Sequence, residues 1–291
     1  MQNSIKTKSN NWLFEISPER SKFKLNFKEI YQYRDLLMLF IRRDIVSVYK
    51  QTILGPLWFF IQPLFTSAIQ FVVFSKIANI SSGGVPYFLF VLAGNTLWSY
   101  FSISLTDISA TFIKNQGIFG KVYFPRAIIP LSVTISNLFK FGIQFVLFIV
   151  VLIYVKITNG NVNPNLFALF LPMILLCMAL ISVGLGMVIT SITTKYRDLT
   201  FILGFGMSLF MYVTPVVYPT SLAVEKLPSN WLWIVYSNPL TGLFDLFKYG
   251  FLGEGVLNWF SLIWSFVFAI FVFVFGLIVF NKTEKTFMDT I

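Results

Sequence analysis

Six long apolar stretches follow one another after residue 54 of this 291-residue chain, and they constrain its fold more than any other feature. Each stretch exceeds or approaches the ~20 residues that an α-helix needs to cross ~30 Å of hydrocarbon at ~1.5 Å per residue. Charged residues make up 12% of the chain, whereas soluble proteins average about 25%. We therefore predict an all-α integral membrane protein with six transmembrane helices, at residues 55–77, 87–105, 128–155, 166–192, 199–217 and 256–280.

Lysines and arginines collect on alternate sides of these stretches. Ten precede the first stretch, three lie in the second connection, two in the fourth and two in the C-terminal tail, whereas the other connections hold only Lys156, Lys226 and Lys248. Because cytoplasmic loops carry an excess of Lys and Arg, this distribution predicts that both termini are cytoplasmic. The net charge of +10 is explained by this topology and by anionic lipids, so we expect membrane lipids and no nucleic acid as partners.

The segment before the first stretch is predicted to contain an amphipathic helix on the membrane surface, because its apolar residues recur at steps of three and four. The alternative is that this segment begins the first span. Arg42, Arg43, Asp44 and Lys50 disfavour it, since a charge at mid-bilayer costs about 2.5 to 3.5 kcal/mol on insertion scales. The predicted parts are a cytoplasmic N-terminal arm (1–26), the interface helix (27–52), the transmembrane domain (53–280) and a cytoplasmic tail (281–291).

The connection between the fifth and sixth stretches is unusually apolar for an exposed loop. It is interrupted in the middle by Asn238, Pro239 and Gly242. Two short helices that re-enter the outer leaflet within about 225–252 satisfy both facts, because irregular backbone at membrane depth is tolerated where protein buries it. A seventh full span is the alternative, and Asp245 and Lys248 disfavour it.

The residue types that most catalytic and metal sites need are scarce. The chain has no histidine, and Cys177 is its one cysteine. This composition weakens metal, triad and proton-shuttle chemistry. The string GIFGK at 117–121 has the wrong glycine spacing for a phosphate-binding loop and is followed by Val122 in place of Ser or Thr. We predict no enzyme activity, no metal site and no bound cofactor, and any ATP hydrolysis would belong to another polypeptide.

Five blocks of sequence, in order, resemble one family of membrane proteins. They are RRDIVSVYKQTILGPLWFFIQP (42–63), KVYFPRAIIPLS (121–132), KYRDL (195–199), TPVVYP (214–219) and NPLTGLFDLFKYGFLG (238–253). The chain resembles the permease subunit of type-2 ABC exporters that export O-antigen, capsule or teichoic acid chains. It departs from that pattern at Lys248, where the family is expected to have Arg.

The resemblance implies partners as well as a fold. A homodimer of permeases would join two ATP-binding-cassette ATPase subunits, which bind the ATP and magnesium. The complex would export a lipid-linked polysaccharide from the cytoplasmic side across the inner membrane.

The connection after the second span is expected to contact the ATPase. By resemblance, residues 114–126 form a short coupling helix closed by Pro125, which disfavours helix at the residue before it. Aromatic anchors beside a basic rim suit a helix seated in a groove of a partner. The candidate coupling residues are Phe119, Lys121, Tyr123, Phe124, Pro125 and Arg126. The alternative is an ordinary basic turn with aromatics anchored at the membrane interface.

Polar residues at the end of the interface helix form a second candidate site. They would position this helix against the ATPase and attract the negative head group of a pyrophosphate-linked lipid. The alternative is that they reach phospholipid phosphates. The candidates are Arg42, Arg43, Asp44, Tyr49, Lys50 and Gln51.

Lys140 lies near the middle of the third span and is a buried-charge anomaly. We expect no carboxylate at the same depth, because Asp107 comes late in the second span. Lys140 would then bond backbone carbonyls or reach toward the interface. Aromatic faces pack well on sugar rings, so a glycan path could be lined by Trp98, Tyr100, Tyr212 and Tyr218.

Other functions remain as alternatives. A type-2 ABC permease for drugs or small lipids would share the topology. A proton-coupled carrier would need carboxylates or His at mid-membrane, and an integral-membrane transferase would need clustered acidic or His residues on one side. The sequence pattern favours neither of these last two classes.

Overall fold

A computed structural model describes residues 27–50, 55–119, 124–159, 161–193, 195–196, 198–255 and 257–287. These residues form helices and no strand, which confirms the predicted all-α class. The helices are α1 (Phe27–Gln32), α2 (Arg34–Tyr49), α3 (Trp58–Gln70, continued by a π-helical stretch Phe71–Ile77), α4 (Tyr87–Ser109), α5 (Thr111–Lys114), α6 (Gln116–Phe119), α7 (Ile128–Asn159), α8 (Leu171–Thr193, preceded by a 3₁₀ turn Leu166–Phe170), α9 (Leu199–Val213), α10 (Thr220–Lys226), α11 (Leu232–Ser237), α12 (Thr241–Leu252) and α13 (Trp259–Phe287).

Five helical segments in the described residues are long and apolar enough to cross a membrane: Trp58–Ile77, Tyr87–Ser109, Ile128–Thr158, Leu166–Thr193 and Trp259–Thr283. The fifth predicted span is shorter than expected. Helix α9 ends at Val213 and has 15 residues, so the prediction of helix to Val217 is wrong. Thr214 is extended, with ψ of 142°, because the following Pro215 disfavours helical backbone.

Helix α4 forms the centre of the bundle, and most of its side chains are buried. It packs against α3, α7 and α8, while α8 also packs along α13. Helices α8 and α13 approach closely because glycine faces glycine: a Cβ on Gly276 would lie 2.3 Å from the carbonyl oxygen of Gly184. The bundle is therefore built around α4 and one very close helix crossing.

The two ends of the bundle carry different connections. At one end, which we call the inner end, α4 and α8 finish and α7 begins. The Thr193 hydroxyl donates to the Ser109 carbonyl there over 2.9 Å, and α13 brings Phe280 against Phe112 of α5. At the opposite, outer end, the Trp264 indole donates to the Ser237 carbonyl over 2.9 Å. The interface helix and the 110–127 connection thus share the inner end.

Candidate functional site

The connection after α4 forms two four-residue helices in place of the single helix expected over 114–126. Helices α5 and α6 are separated by Asn115, whose φ of −113° and ψ of 15° are not helical. Lys121 and Tyr123, two of the expected coupling residues, lie outside the described residues. The exposed positions of the described part are Lys114, Gln116 and Gly117. We call residues 111–119 the coupling segment.

Five phenylalanine rings from five parts of the chain meet at the inner end. The ring of Phe112 stacks on Phe280 at 5.0 Å and meets Phe119 at 5.6 Å. Phe124 stacks on Phe119 at 5.7 Å and lies 5.7 Å from Phe40 of α2. We call these five residues the inner aromatic cluster. It ties the interface helix and the coupling segment to α13.

Phe119 and Phe124 are buried in this cluster, with 4% and 3% of their surface exposed. Pro125 and Arg126 are also buried, and the Arg126 guanidinium lies 5.3 Å from the Phe119 ring centre. These side chains are therefore not exposed anchors in this conformation. Their coupling role stays a prediction, and it would have to act through the cluster. An aromatic pair beside a proline looks the same in sequence whether it faces a partner or the protein's own core.

Arg43 joins the interface helix to the coupling segment. Its guanidinium stacks over Phe40 at 4.7 Å, pairs with the Asp44 carboxylate at 2.8 Å and donates to the Asn115 amide oxygen over 3.4 Å. Arg42 and Lys50 are exposed on the same helix. The side chain of Tyr49 and the whole of Gln51 lie outside the described residues. A role of this helix end in substrate entry stays a prediction.

Lys140 has a carboxylate partner, Asp107, although the two residues lie at different depths in the bundle. Its Nζ is 3.9 Å from Oδ2 of Asp107, whose Oδ1 is 2.8 Å from Nζ of Lys114. Asn137 of α7 donates to Ser104 and Phe141 meets Tyr100, so the Cα of Lys140 lies roughly six residues above Asp107. At ~1.5 Å per residue this offset is ~9 Å along the helix axis, and the lysine stem covers part of it by pointing toward the inner end.

The four aromatic residues proposed for a glycan path occupy different environments. Trp98 and Tyr100 are buried in the core, Trp98 against Phe210 at 5.9 Å. Tyr212 is 53% exposed, and the Tyr218 hydroxyl donates to its carbonyl over 3.1 Å. Contact of Tyr212 with a glycan stays a prediction, and contact of the two buried rings would require the helices around α4 to separate.

At the outer end, Lys248 of α12 is buried, and its ammonium group is held by carbonyls instead of an ion pair in the described part of the chain. Its Nζ donates to the Pro215 carbonyl over 2.6 Å and to the Val216 carbonyl over 3.0 Å, and it lies 3.7 Å from the centre of the Phe90 ring. Asp245 instead accepts a hydrogen bond from Thr220 over 2.6 Å. The ammonium group of Lys248 therefore satisfies two buried carbonyls of the turn that follows α9.

The same turn is held from other directions as well. Asn238 donates to the Thr214 hydroxyl over 2.9 Å, and the Tyr87 hydroxyl donates to the Val217 carbonyl. The Val216 carbonyl oxygen lies 2.3 Å from where a Cβ on Gly94 would be. The chain break expected near Asn238 lies between α11 and α12. That these helices re-enter the membrane stays a prediction, although the 12 residues of α12 are too few to cross it.

Sequence reasoning missed Asp107, Lys114 and Asn115 as site residues. The position of Asp107 could have predicted its role, because a carboxylate in the last two turns of one span can pair with a lysine in the next span. Asn115 gave no signal, because its role depends on the break between α5 and α6.

Comparison with known proteins places the chain in a family. The model of the ABC-2 type transporter family matches residues 35–252, which is more than half of the chain. Two proteins of Klebsiella pneumoniae, both named O-antigen export system permease protein RfbA, are 28% identical over 270 and 273 residues, covering 92% of this chain and 98% of each relative. A Myxococcus xanthus protein of the same name is 26% identical over 221 residues, 76% of this chain and 82% of the relative.

The matched region includes α2 from Asp35 onward, the coupling segment and α12, so it covers both ends of the bundle described above. Together with five helices long enough to cross a membrane, this match identifies a multi-pass membrane transport subunit. The chain belongs to the ABC-2 type transporter family.

Proposed function

We propose that this chain is the membrane-spanning subunit of an ATP-binding-cassette exporter of lipid-linked polysaccharide, of the O-antigen, capsule or teichoic acid type. One observation carries the proposal: permeases named for O-antigen export align with 92% of this chain and with 98% of their own length. An alignment of that length relates the two permease chains over almost their whole length, and not over a single shared domain. A drug or small-lipid exporter, the alternative, is not favoured by these names.

The exporter would sit in the inner membrane with both termini in the cytoplasm. The distribution of Lys and Arg supports this orientation. The inner end also carries the exposed polar surface of the coupling segment. In this orientation the inner end faces the cytoplasm, where ATP is available, and the polysaccharide leaves at the outer end.

The chain would act as a homodimer. Helix α9 supports this, because large apolar side chains project from it: Phe201 is 82% exposed and Phe205 67% exposed. A second copy packed on α9 would cover part of this surface, and membrane lipid would cover the rest of the apolar exterior.

Two ATPase subunits would supply the driving force, and they would bind the ATP and magnesium that this chain is not proposed to bind. Lys114, Gln116 and Gly117 offer an exposed contact surface for them. Behind this surface lies the inner aromatic cluster, so a push on the coupling segment would reach α2 and α13 through packed rings.

The proposal is tested by deleting the gene and locating the polymer. We expect the lipid-linked polysaccharide to accumulate inside the cell and to return to the surface when the gene is supplied on a plasmid. Polysaccharide that still reaches the surface in the deletion strain would contradict the proposal. So would an unchanged polymer together with retention of a drug or small lipid.

A further inference from the structure

Six polar side chains at the inner end form two groups, which are joined through the neighbouring residues Lys114 and Asn115 of the coupling segment. Asp107 contacts Lys114 and Lys140, and Arg43 contacts Asp44 and Asn115. We propose that this inner polar network transmits movement of the coupling segment to α7, with Asp107 as the positioning residue for Lys140. The inference rests on the proposed function, since it assumes that an ATPase moves the coupling segment.

Asp107 divides its two oxygens between two lysines. Oδ1 is at hydrogen-bond distance from Lys114, at 2.8 Å, whereas Oδ2 is at the limit of an ion pair with Lys140, at 3.9 Å. Asp107 is therefore hydrogen-bonded to Lys114 of the coupling segment, whereas it makes no hydrogen bond to Lys140 of α7. A displacement of about 1 Å is enough to close the second contact.

The coupling segment can move relative to Asp107 because the helix is interrupted between them. Ala110, with φ of −97° and ψ of 8°, separates α4 from α5. Lys114 and Asn115 lie on the far side of this break and are attached to the segment that would contact the ATPase. Rotation about Ala110 would draw Lys114 away from Asp107 while α4 stays in place.

Asp44 belongs to the part of the network that lies on α2. One of its oxygens pairs with Arg43, whereas its Oδ2 is buried and has no hydrogen-bond partner among the described residues. Arg43 in turn bonds Asn115. Lys114 and Asn115 are neighbours in sequence, so one movement of the coupling segment changes the surroundings of both carboxylates.

Lys140 is well placed to respond to these changes. Its side chain is 18% exposed, and the Asp107 side chain is 30% exposed, so neither is fully screened by water. Once Lys114 moves away, the Asp107 side chain is released to turn toward Lys140 and close the 3.9 Å gap, which would pull on α7. Helix α7 also packs along α2 and α4, so its displacement would alter the bundle that the substrate crosses.

A static ion pair is the competing explanation, and a double-mutant cycle separates the two. If the pair only neutralises charge, then Asp107→Asn and Lys140→Met would each impair the exporter. The double variant would recover, because it removes both charges of the pair and leaves only Lys114, which is exposed to solvent, without its carboxylate. If the network transmits movement, the double variant stays impaired although it folds and binds its ATPase.

The experiment reconstitutes the permease and its ATPase in vesicles and measures polysaccharide exported per ATP hydrolysed. For Asp107→Asn/Lys140→Met we expect ATPase copurification equal to wild type and at least a tenfold lower export per ATP. Asp35→Asn is the control, since it removes an exposed carboxylate of α2 that is not part of the network. Its ratio should equal that of wild type.

Each outcome decides between the explanations. Wild-type export per ATP in the double variant overturns the network while leaving the proposed function intact. A double variant that fails to copurify with the ATPase, although it is folded, assigns these residues to docking and also overturns the network. Absence of export by the wild-type complex overturns the proposed function and the network with it.

Discussion

Two lysines in apolar helices show how charged residues are accommodated in this chain. Lys140 reaches a carboxylate near the inner end, whereas Lys248 is held by two carbonyls and an aromatic face at the outer end. Both arrangements follow from the cost of leaving an ammonium unpaired in an apolar environment. The carboxylate that pairs with Lys140 also bonds the coupling segment, which we propose moves. The carbonyls that accept from Lys248 belong to the turn after α9, so this lysine caps that turn.

The cap predicts a stability effect. Lys248→Met removes the donor from the Pro215 and Val216 carbonyls and leaves both buried without a partner. We expect the free energy of unfolding in detergent to fall by roughly 2 to 6 kcal/mol, at about 1 to 3 kcal/mol for each of the two buried groups left unpaired. The measurement is thermal unfolding of the purified protein.

The control for this variant is Lys226→Met, since Lys226 is exposed at the end of α10. It should unfold at the wild-type temperature. Equal unfolding temperatures for Lys248→Met and wild type would show that the turn does not depend on the lysine.

At this scale the sequence identified unusual residues but not their partners. Lys140 stands out in an apolar stretch, yet its pairing with Asp107 depends on how far the lysine stem reaches back along α7. Phe119 and Phe124 were expected to face a partner, and they pack inward because α2 and α13 bring Phe40 and Phe280 to the same place. Such meetings of distant segments leave no trace in local sequence.

At the scale of helices, the close crossing of α8 and α13 predicts the effect of a glycine substitution. A Cβ on Gly276 would lie 2.3 Å from the Gly184 carbonyl oxygen and 2.8 Å from its Cα, and both are backbone atoms that cannot rotate away. Gly276→Ala must therefore push the helices apart, and we expect a loss of about 1 to 3 kcal/mol in unfolding free energy. Chemical denaturation in mixed micelles measures it.

The matched control is Gly204→Ala in α9, where a Cβ meets nothing within 4 Å. That variant should be unchanged or more stable, because alanine favours helix over glycine by up to about 1 kcal/mol. If the two variants have the same stability, the close crossing does not contribute as described.

The coupling segment makes a prediction about binding. Gly117 is exposed, and a Cβ there meets nothing within 4 Å, so Gly117→Trp is tolerated within the protomer. If the segment sits in a groove of the ATPase, the indole should block it and lower ATPase copurification at least tenfold, as expected for more than about 1.4 kcal/mol of lost binding. The amount of folded permease should not change.

Glu225→Trp, at an exposed position of α10 near the outer end, is the control for an added surface tryptophan. Its ATPase copurification should match wild type. Normal copurification of the Gly117→Trp variant would remove the coupling segment from the docking surface.

Element positions were largely readable from hydropathy, and the errors have local causes. The long spans were predicted because a run of about 20 consecutive apolar residues is typical of a transmembrane helix. The end of α9 was misplaced because Val216 and Val217 are apolar, although Pro215 had already ended the helix. The helix expected over 114–126 was placed one element too early at its start, since α5 ends at Lys114 and the break at Asn115 has no glycine or proline to mark it.

For the whole molecule, the structure separates a packed interior from two specialised ends. The interior is arranged around α4, the outer end closes on the turn after α9, and the inner end joins the interface helix to the coupling segment. The sequence predicted the sidedness from its charges and the family from five ordered blocks. It did not predict the inner polar network, because that network forms only where α2, α4, α7 and the coupling segment meet.

Transport in a purified system tests the central claim most directly. Vesicles containing this chain, its ATPase, lipid-linked polysaccharide and ATP should move the polysaccharide across the bilayer, and vesicles lacking either the ATPase or ATP should not. Movement by this chain alone, or none when all components are present and ATP is hydrolysed, would contradict the account of a permease driven by a separate ATPase.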